Sequence, residues 1–234
     1  MAEDKKVVAE TKISVDDMTA SGVHFGHRVS RLHPRMKPFV SGVKNNVNIL
    51  DLEKSAKEFQ KALSFISKTV AEGRTILFVG TKIQIKNLVR VAAEECGLPY
   101  VTERWLGGTF TNFETISKRV EYFKDLERKK SFGEFEKYTK KERMGLDKEI
   151  EKLKIKFEGI RNMQKLPDTV IIFDIYKDET CLKEAKIKKI KTVAICDTNT
   201  DPSQVDWPIP GNDDAISSVK YILDKIKETI LNSK

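Results

Sequence analysis

The chain predicts an α/β protein built on a parallel sheet and carrying a helical insertion, and three patterns in the sequence predict it. Short β-branched runs, several of them almost continuously apolar, recur along the chain, as strands buried on both faces require. Segments with apolar residues three and four apart lie between them, which is the alternation of βαβ units. One stretch of 52 residues, 114–165, breaks the alternation with two apolar seams in a heavily charged background.

Taken in order, residues 1–20 read as a polar N-terminal tail and the start of a first helix. MAEDKKVVAETK has no apolar stretch behind its charges, which argues against a secretory signal. The first strand is expected over 46–52 (NVNILDL). Ala56, Phe59, Leu63, Ile66 and Val70 then define an amphipathic helix ending at Gly73. A strand over 75–81 (TILFVGT), a helix over 82–95 closed by Gly97, and a strand over 99–103 (PYVTE) follow. Two further strands are expected over 169–175 (TVIIFDI) and 192–198 (TVAICDT), making a five-stranded parallel sheet. Ala215, Val219, Ile222, Ile226 and Ile230 mark a last helix, with Asn212 as its cap and Asp213 and Asp214 in its first turn. That placement accounts for the two carboxylates without any chemistry.

The insertion carries Ile116, Val120, Phe123 and Leu126 on one arm and Leu146, Ile150, Leu153, Phe157 and Ile160 on the other, with Gly133 between them. Such spacing predicts an antiparallel helical hairpin or short coiled coil that projects from the α/β body. The expected organisation is therefore an α/β domain over 21–113 and 166–234, interrupted by a hairpin over 114–165.

The 234 residues include 43 Lys and Arg against 35 Asp and Glu, a net charge of +8. That balance favours phosphate polymers or anionic surfaces as partners. The hairpin supplies 16 basic and 11 acidic residues, hence most of the excess. Cys96, Cys181 and Cys196 have neither metal-ligand spacing nor an even count, so they read as buried thiols of a reducing compartment. No apolar run approaches membrane-spanning length, and a soluble, cytoplasmic protein is expected.

Chemistry concentrates in 21–44, which holds all three histidines and Arg28, Arg31, Arg35, Lys37 and Lys44 without one Asp or Glu. Fixed positive charge interleaved with rings and turn formers suits a structured polyanion better than a small substrate. The run ERWLGGTFTN at 103–112 adds Arg104 beside two glycines, with Trp105 expected to plug the base of the hairpin. Gly80, at a strand end before Lys82, stands where α/β folds present N–H groups to phosphate. The glycine-rich nucleotide motifs are nevertheless absent. His27 with Asp197 and Asp213, at expected strand ends, forms a chemically reasonable zinc set of nitrogen and carboxylate ligands. No nucleophile pattern appears, and an enzyme reading lacks a reaction.

These words together resemble a family. GVHFGHRVSRLHPRMKPFV, NNVNILDLEK, ILFVGTK, RWLGGTFTN, LPD at 166–168, DTNTDP at 197–202 and IPGNDDAI at 209–216 are similar to ribosomal protein number two of the bacterial small subunit. The resemblance implies a flavodoxin-like three-layer α/β/α fold with an inserted helical coiled coil. It also implies a non-enzymatic role in the small ribosomal subunit, binding ribosomal RNA between head and body and helping to dock the large mRNA-binding ribosomal protein. Where the family commonly shows Trp-Asn, this chain has Leu32-His33.

On that reading Arg28, Arg31, Arg35, Lys37, Lys44, Lys82 and Arg104 are expected on RNA phosphates, since duplex RNA is recognised chiefly by shape and backbone. His33, Asn45, Asn46 and Asn112 are expected on sugars or bases. Lys118 and Arg119, with Lys129, Lys130, Lys140 and Lys141, extend the footprint along the hairpin. His24 and His27 are expected to pack toward the strand ends beside Asp197 and Asp213. Neither a membrane nor a homo-oligomer is expected, and no cofactor beyond the zinc set. The alternatives are a nucleotide- or phosphosugar-binding enzyme at Gly80, with or without a metal, and a docking scaffold that uses the hairpin as its arm.

Overall fold

The computed structural model describes residues 13–234; the expected tail up to residue 12 lies outside the described residues. In chain order the elements are α1 (Val15–Ala20), β1 (Phe25–Arg28), β2 (Val40–Lys44), β3 (Val47–Leu50), α2 (Leu52–Ala71), β4 (Ile76–Val79), α3 (Lys86–Cys96) and β5 (Tyr100–Val101). They continue with α4 (Phe113–Ser131), α5 (Lys140–Phe157), β6 (Thr169–Ile172), α6 (Glu179–Lys188), β7 (Lys191–Cys196), β8 (Trp207–Pro210) and α7 (Ile216–Asn232).

Five strands pair in parallel in the order β5-β4-β6-β7-β8. Among these strands that order is 2-1-3-4-5, the doubly wound arrangement whose switch point lies between its first and third strands, here β4 and β6. The period of two along each strand divides the core into two layers. Ile76, Phe78, Ile171, Phe173, Val193, Ile195 and Ile209 pack with α2, α3 and α7. Leu77, Val79, Val170, Ile172, Ala194 and Cys196 face the other way, against α6 and the helices of the insertion.

Membership of the sheet differs from expectation at one strand. NVNILDL does not enter it: β3 is the middle strand of a separate antiparallel sheet, β1-β3-β2, with Leu50 and Asn48 buried and Val47 and Ile49 turned outward. The fifth parallel strand is instead β8, whose sequence WPIP carries two prolines. Proline removes a ladder donor, and β8 tolerates it because it is an edge.

Helix boundaries follow their caps. The Asp51 carboxylate accepts from the N–H groups of Glu53 and Lys54 at the start of α2, and Gly97 closes α3 in the left-handed conformation (φ 63°). α3 begins at Lys86, so Lys82 lies in the turn before it rather than in the helix. Asn212 likewise does not cap α7: its Oδ1 accepts from the N–H groups of Asp214 and Ala215 in a preceding turn, and the helix starts at Ile216. Asp213 and Asp214 therefore lie outside the last helix, free to do something else.

The two long helices of the insertion run antiparallel. Lys130 near the end of α4 meets Asp147 early in α5 at 2.8 Å, and Tyr122 donates to Glu149 at 3.1 Å. Val120, Phe123, Leu126, Ile150 and Phe157 are buried between them, in the same apolar layer as Leu77, Val170 and Ile172 of the sheet. At its base the hairpin is thus part of the core. The close approach is set by Gly159, just after α5, where an added Cβ would collide with the Tyr100 carbonyl oxygen and ring.

Candidate nucleic-acid interface

The basic segment is held as a rigid cover over the carboxyl ends of the parallel strands. The His27 N–H donates to Thr198 Oγ1 and the His33 N–H to the Thr198 carbonyl, each at 2.8 Å. Gly26 permits this contact, since a Cβ there would fall 2.5 Å from Thr198 Cγ2. Asn48, fully buried, donates through Nδ2 to the His27 carbonyl at 2.9 Å and ties the cover to β3.

On this frame Arg28, Arg31, Lys37 and Lys44 are exposed, and among the described residues none of them has an ion-pair partner. Arg28 and Lys44 both lie opposite Val47, on either side of β3. Beside them Asn45 and Asn46 form the β2–β3 turn with φ of 50° and 62°. Two successive left-handed residues are the geometry of a tight hairpin turn, and Asn tolerates it. Arg104 and Arg119 are exposed and equally unpaired among the described residues, but they stand at the root of the hairpin.

Other expected contacts are engaged by the protein itself. Arg35 pairs with Asp201 at 2.8 Å and also reaches Ser203. His33 accepts the Arg35 N–H on Nδ1 at 3.3 Å, capping a turn of 3₁₀ helix over Pro34–Phe39. Asn112 Oδ1 accepts from the Thr115 hydroxyl at 2.8 Å, and Lys118 pairs with Glu114 at 2.7 Å on an exposed helix face. The His24 ring lies 4.0 Å from that of Phe25, and among the described residues it makes no ion pair with Asp197 or Asp213.

Lys82 is the clearest correction. The turn after β4 aims it across the switch point at Asp174 (3.3 Å), Asp213 (3.0 Å) and Asp214 (2.6 Å), and only 13% of the side chain is exposed. Burial alone would lower its pKa, but these carboxylates outweigh it and hold the ammonium more firmly protonated than usual. A cation so neutralised has little left for a phosphate.

Lys82 belongs to a mixed cluster. His27 Nδ1 lies 3.1 Å from Asp197 Oδ2, and Nε2 lies 3.4 Å from Asp214 Oδ2. The Asp197 contact raises the His27 pKa, burial opposes it, and the charges of Asp197, Asp213 and Asp214 add to the rise. Burial pushes the Asp213 carboxyl up to about 7, helped by Asp174 and Asp197 and opposed by Lys82. His27, Asp197, Asp213 and Asp214 each offer a ligand atom within 4.8 Å of the others. The sequence pointed to the first three through their expected strand-end positions; Asp214 was read only as a residue of the helical first turn that it was expected to share with Asp213.

Gly80 makes no phosphate cradle. A Cβ there would fall 2.8 Å from Val89 Cγ2, so the residue serves strand–helix packing, and the carboxylates at the neighbouring strand ends oppose an anion. Sequence reasoning also missed Glu184, 6% exposed on α6. It accepts from the N–H groups of Gly108 (2.8 Å), Phe110 (2.9 Å) and Thr111 (3.1 Å) and from the Trp105 indole (3.1 Å). The loop after β5 is wrapped around this carboxylate, with Trp105 edge-on to Phe110 at 4.7 Å. That arrangement leaves Arg104 exposed and buries the indole in the apolar layer that the insertion shares with the sheet.

The fold and this surface define a class: a doubly wound α/β protein with a helical insertion, whose accessible chemistry is a set of unpaired cations on a rigid cover. The family model for ribosomal protein S2 matches residues 18–233. Curated relatives named small ribosomal subunit protein uS2 include one from Dictyoglomus thermophilum, 44% identical over 222 residues (95% of this chain, 90% of the relative). Another, from a Nitratiruptor species, is 43% identical over 222 residues (95% of this chain, 83% of the relative). A protein named uS2c from Guillardia theta is 44% identical over 218 residues, 93% of each chain. The chain belongs to the ribosomal protein S2 family.

Proposed function

We propose that this protein is a structural, non-enzymatic constituent of the small ribosomal subunit that holds ribosomal RNA through the cover formed by 21–50. The observation that carries the RNA reading is the set of exposed, unpaired cations Arg28, Arg31, Lys37 and Lys44 on a frame pinned to Thr198. Cations on a pinned frame meet backbone phosphates with only their own side chains left to order, and recognise shape rather than sequence. Asn45 and Asn46 are placed beside them for sugars or base edges. Arg104 and Arg119 continue the footprint toward the hairpin. Head and body of the subunit are the two RNA masses such a two-part footprint joins, and the large mRNA-binding ribosomal protein is the neighbour it helps to dock.

The test is incorporation into small subunits depleted of the protein. R28E/R31E/K37E is expected to lose occupancy and to flatten the salt dependence of binding by roughly one unit of slope per lost phosphate contact. R35E, whose parent residue already has an acidic partner, is expected to lose less. Wild-type occupancy for the triple variant would overturn the reading.

A second reading concerns a metal. His27, Asp197 and Asp213, joined by Asp214, present the nitrogen and oxygen donors that zinc accepts. A divalent ion there would lock the cover onto the strand ends. Calorimetry with Zn²⁺ is expected to show binding by the wild type that H27A abolishes; equal heats from both would refute it.

A further inference from the structure

The far end of the hairpin is built differently from its shaft. Phe132, at the end of α4, is 74% exposed, and Tyr138, just before α5, is 41% exposed. Between them Phe135 is buried at 7% and meets Tyr138 edge-on at 6.3 Å, while Gly133 turns the chain with φ of 73°. The Thr139 hydroxyl and the Glu142 carboxylate close a reciprocal cap on α5. The two exposed rings are therefore held on an anchored turn at the end of a helix of 19 residues, about 28 Å from the start of α4.

Charge surrounds them. Residues 128–143 contain seven basic and three acidic side chains. Arg128 and Lys129 are taken up by Asp125, and Lys130 by Asp147. Among the described residues Lys137, Lys140, Lys141 and Arg143 have no ion-pair partner, and the Lys137 ammonium lies 5.4 Å from the centre of the Tyr138 ring.

Two exposed rings with Glu134, Glu136 and Lys137 between them do not make a continuous apolar patch of the sort a protein helix covers. Exposed rings followed by free cations, here Lys137, Lys140, Lys141 and Arg143, are the elements of a single-strand site: a base stacks on each ring and a nearby cation meets its phosphate. Bases inside an A-form duplex already stack on one another and cannot do this. We infer that the hairpin tip, through Phe132 and Tyr138, binds unpaired nucleotides of RNA. This rests on the RNA reading of the whole chain but uses a separate surface from the cover over 21–50.

The experiment measures binding of the full chain to an oligouridine single strand and to an RNA duplex of equal charge, over a series of salt concentrations. F132A/Y138A leaves the buried Phe135 in place, and an unchanged melting temperature shows that it folds. Its affinity for the single strand is expected to fall roughly tenfold or more with the salt slope unchanged, and its affinity for the duplex to stay the same. K137E/K140E/K141E is expected to flatten the slope instead. Equal single-strand affinity for wild type and F132A/Y138A overturns the inference, and so does an equal loss on both RNAs. Retained RNA binding with failure to enter subunits would make the tip a protein-docking site, which also overturns it. A wild type that enters subunits yet ignores the single strand refutes the tip alone and leaves the cover's role standing.

Discussion

Glu184 organises a surface loop from below. Burial raises its pKa, but the N–H groups of Thr111, Gly108 and Phe110 and the Trp105 indole outweigh burial and leave the carboxyl below its ordinary value of 4.5. A carboxyl depressed in the folded state contributes stability above its unfolded pKa and loses it as pH falls through the folded one. E184Q puts an amide among donors, and is expected to lower unfolding free energy near neutrality by about 2–4 kcal/mol. The deficit should begin to shrink as pH falls below the ordinary 4.5, where the unfolded carboxyl takes up its proton, and vanish once the folded carboxyl is protonated as well. Urea midpoints at the two pH values check it, and a deficit that does not change with pH would contradict the assignment. Nothing in KEAKIKKIK marks this residue, because one Glu among lysines looks like a solvated helix face. The partner groups lie in the loop WLGGTFT, whose Trp105 indole and Gly108, Phe110 and Thr111 N–H groups all turn to this one carboxylate. His27 and Asp197 were legible for the opposite reason: both flank strands, and strand ends are where such folds gather polar groups.

At the level of elements, periodicity located α2, β4, β6, β7 and both arms of the hairpin, since each hides one face or two. It misassigned β3, whose alternation reports only that one side is covered and not which sheet contains it. It passed over β8, because prolines argue against a strand unless the strand is known to be an edge. Close approaches between elements are likewise invisible until the chain is folded. G159A places a methyl group against the Tyr100 carbonyl, and is expected to cost about 1–3 kcal/mol by prying α5's end from β5. G42A, with nothing within 4 Å of its added carbon, is the control and should stay within roughly 0.5 kcal/mol of wild type. Similar unfolding midpoints for the two variants would contradict the packing described here.

For the whole molecule, charge is sorted rather than spread. Acidic groups at the switch point are met internally by Lys82 and His27, whereas among the described residues Arg28, Arg31, Lys37 and Lys44 of the cover and Lys137, Lys140, Lys141 and Arg143 of the hairpin tip have no ion-pair partner. The net charge of +8 therefore understates how positive these two surfaces are. Composition predicted the sign of the partner, and only the folded chain separates spent cations from available ones: Lys82 and Arg35 are spent, Arg28 and Lys44 are not. On the proposed RNA reading, the protein should join its particle through many screened contacts. The most direct measurement is sedimentation of the full chain with small ribosomal subunits lacking it, across a salt series. Stoichiometric co-sedimentation at low salt and release as salt rises is the expected result; failure to sediment with the subunits, or retention indifferent to salt, would contradict the account.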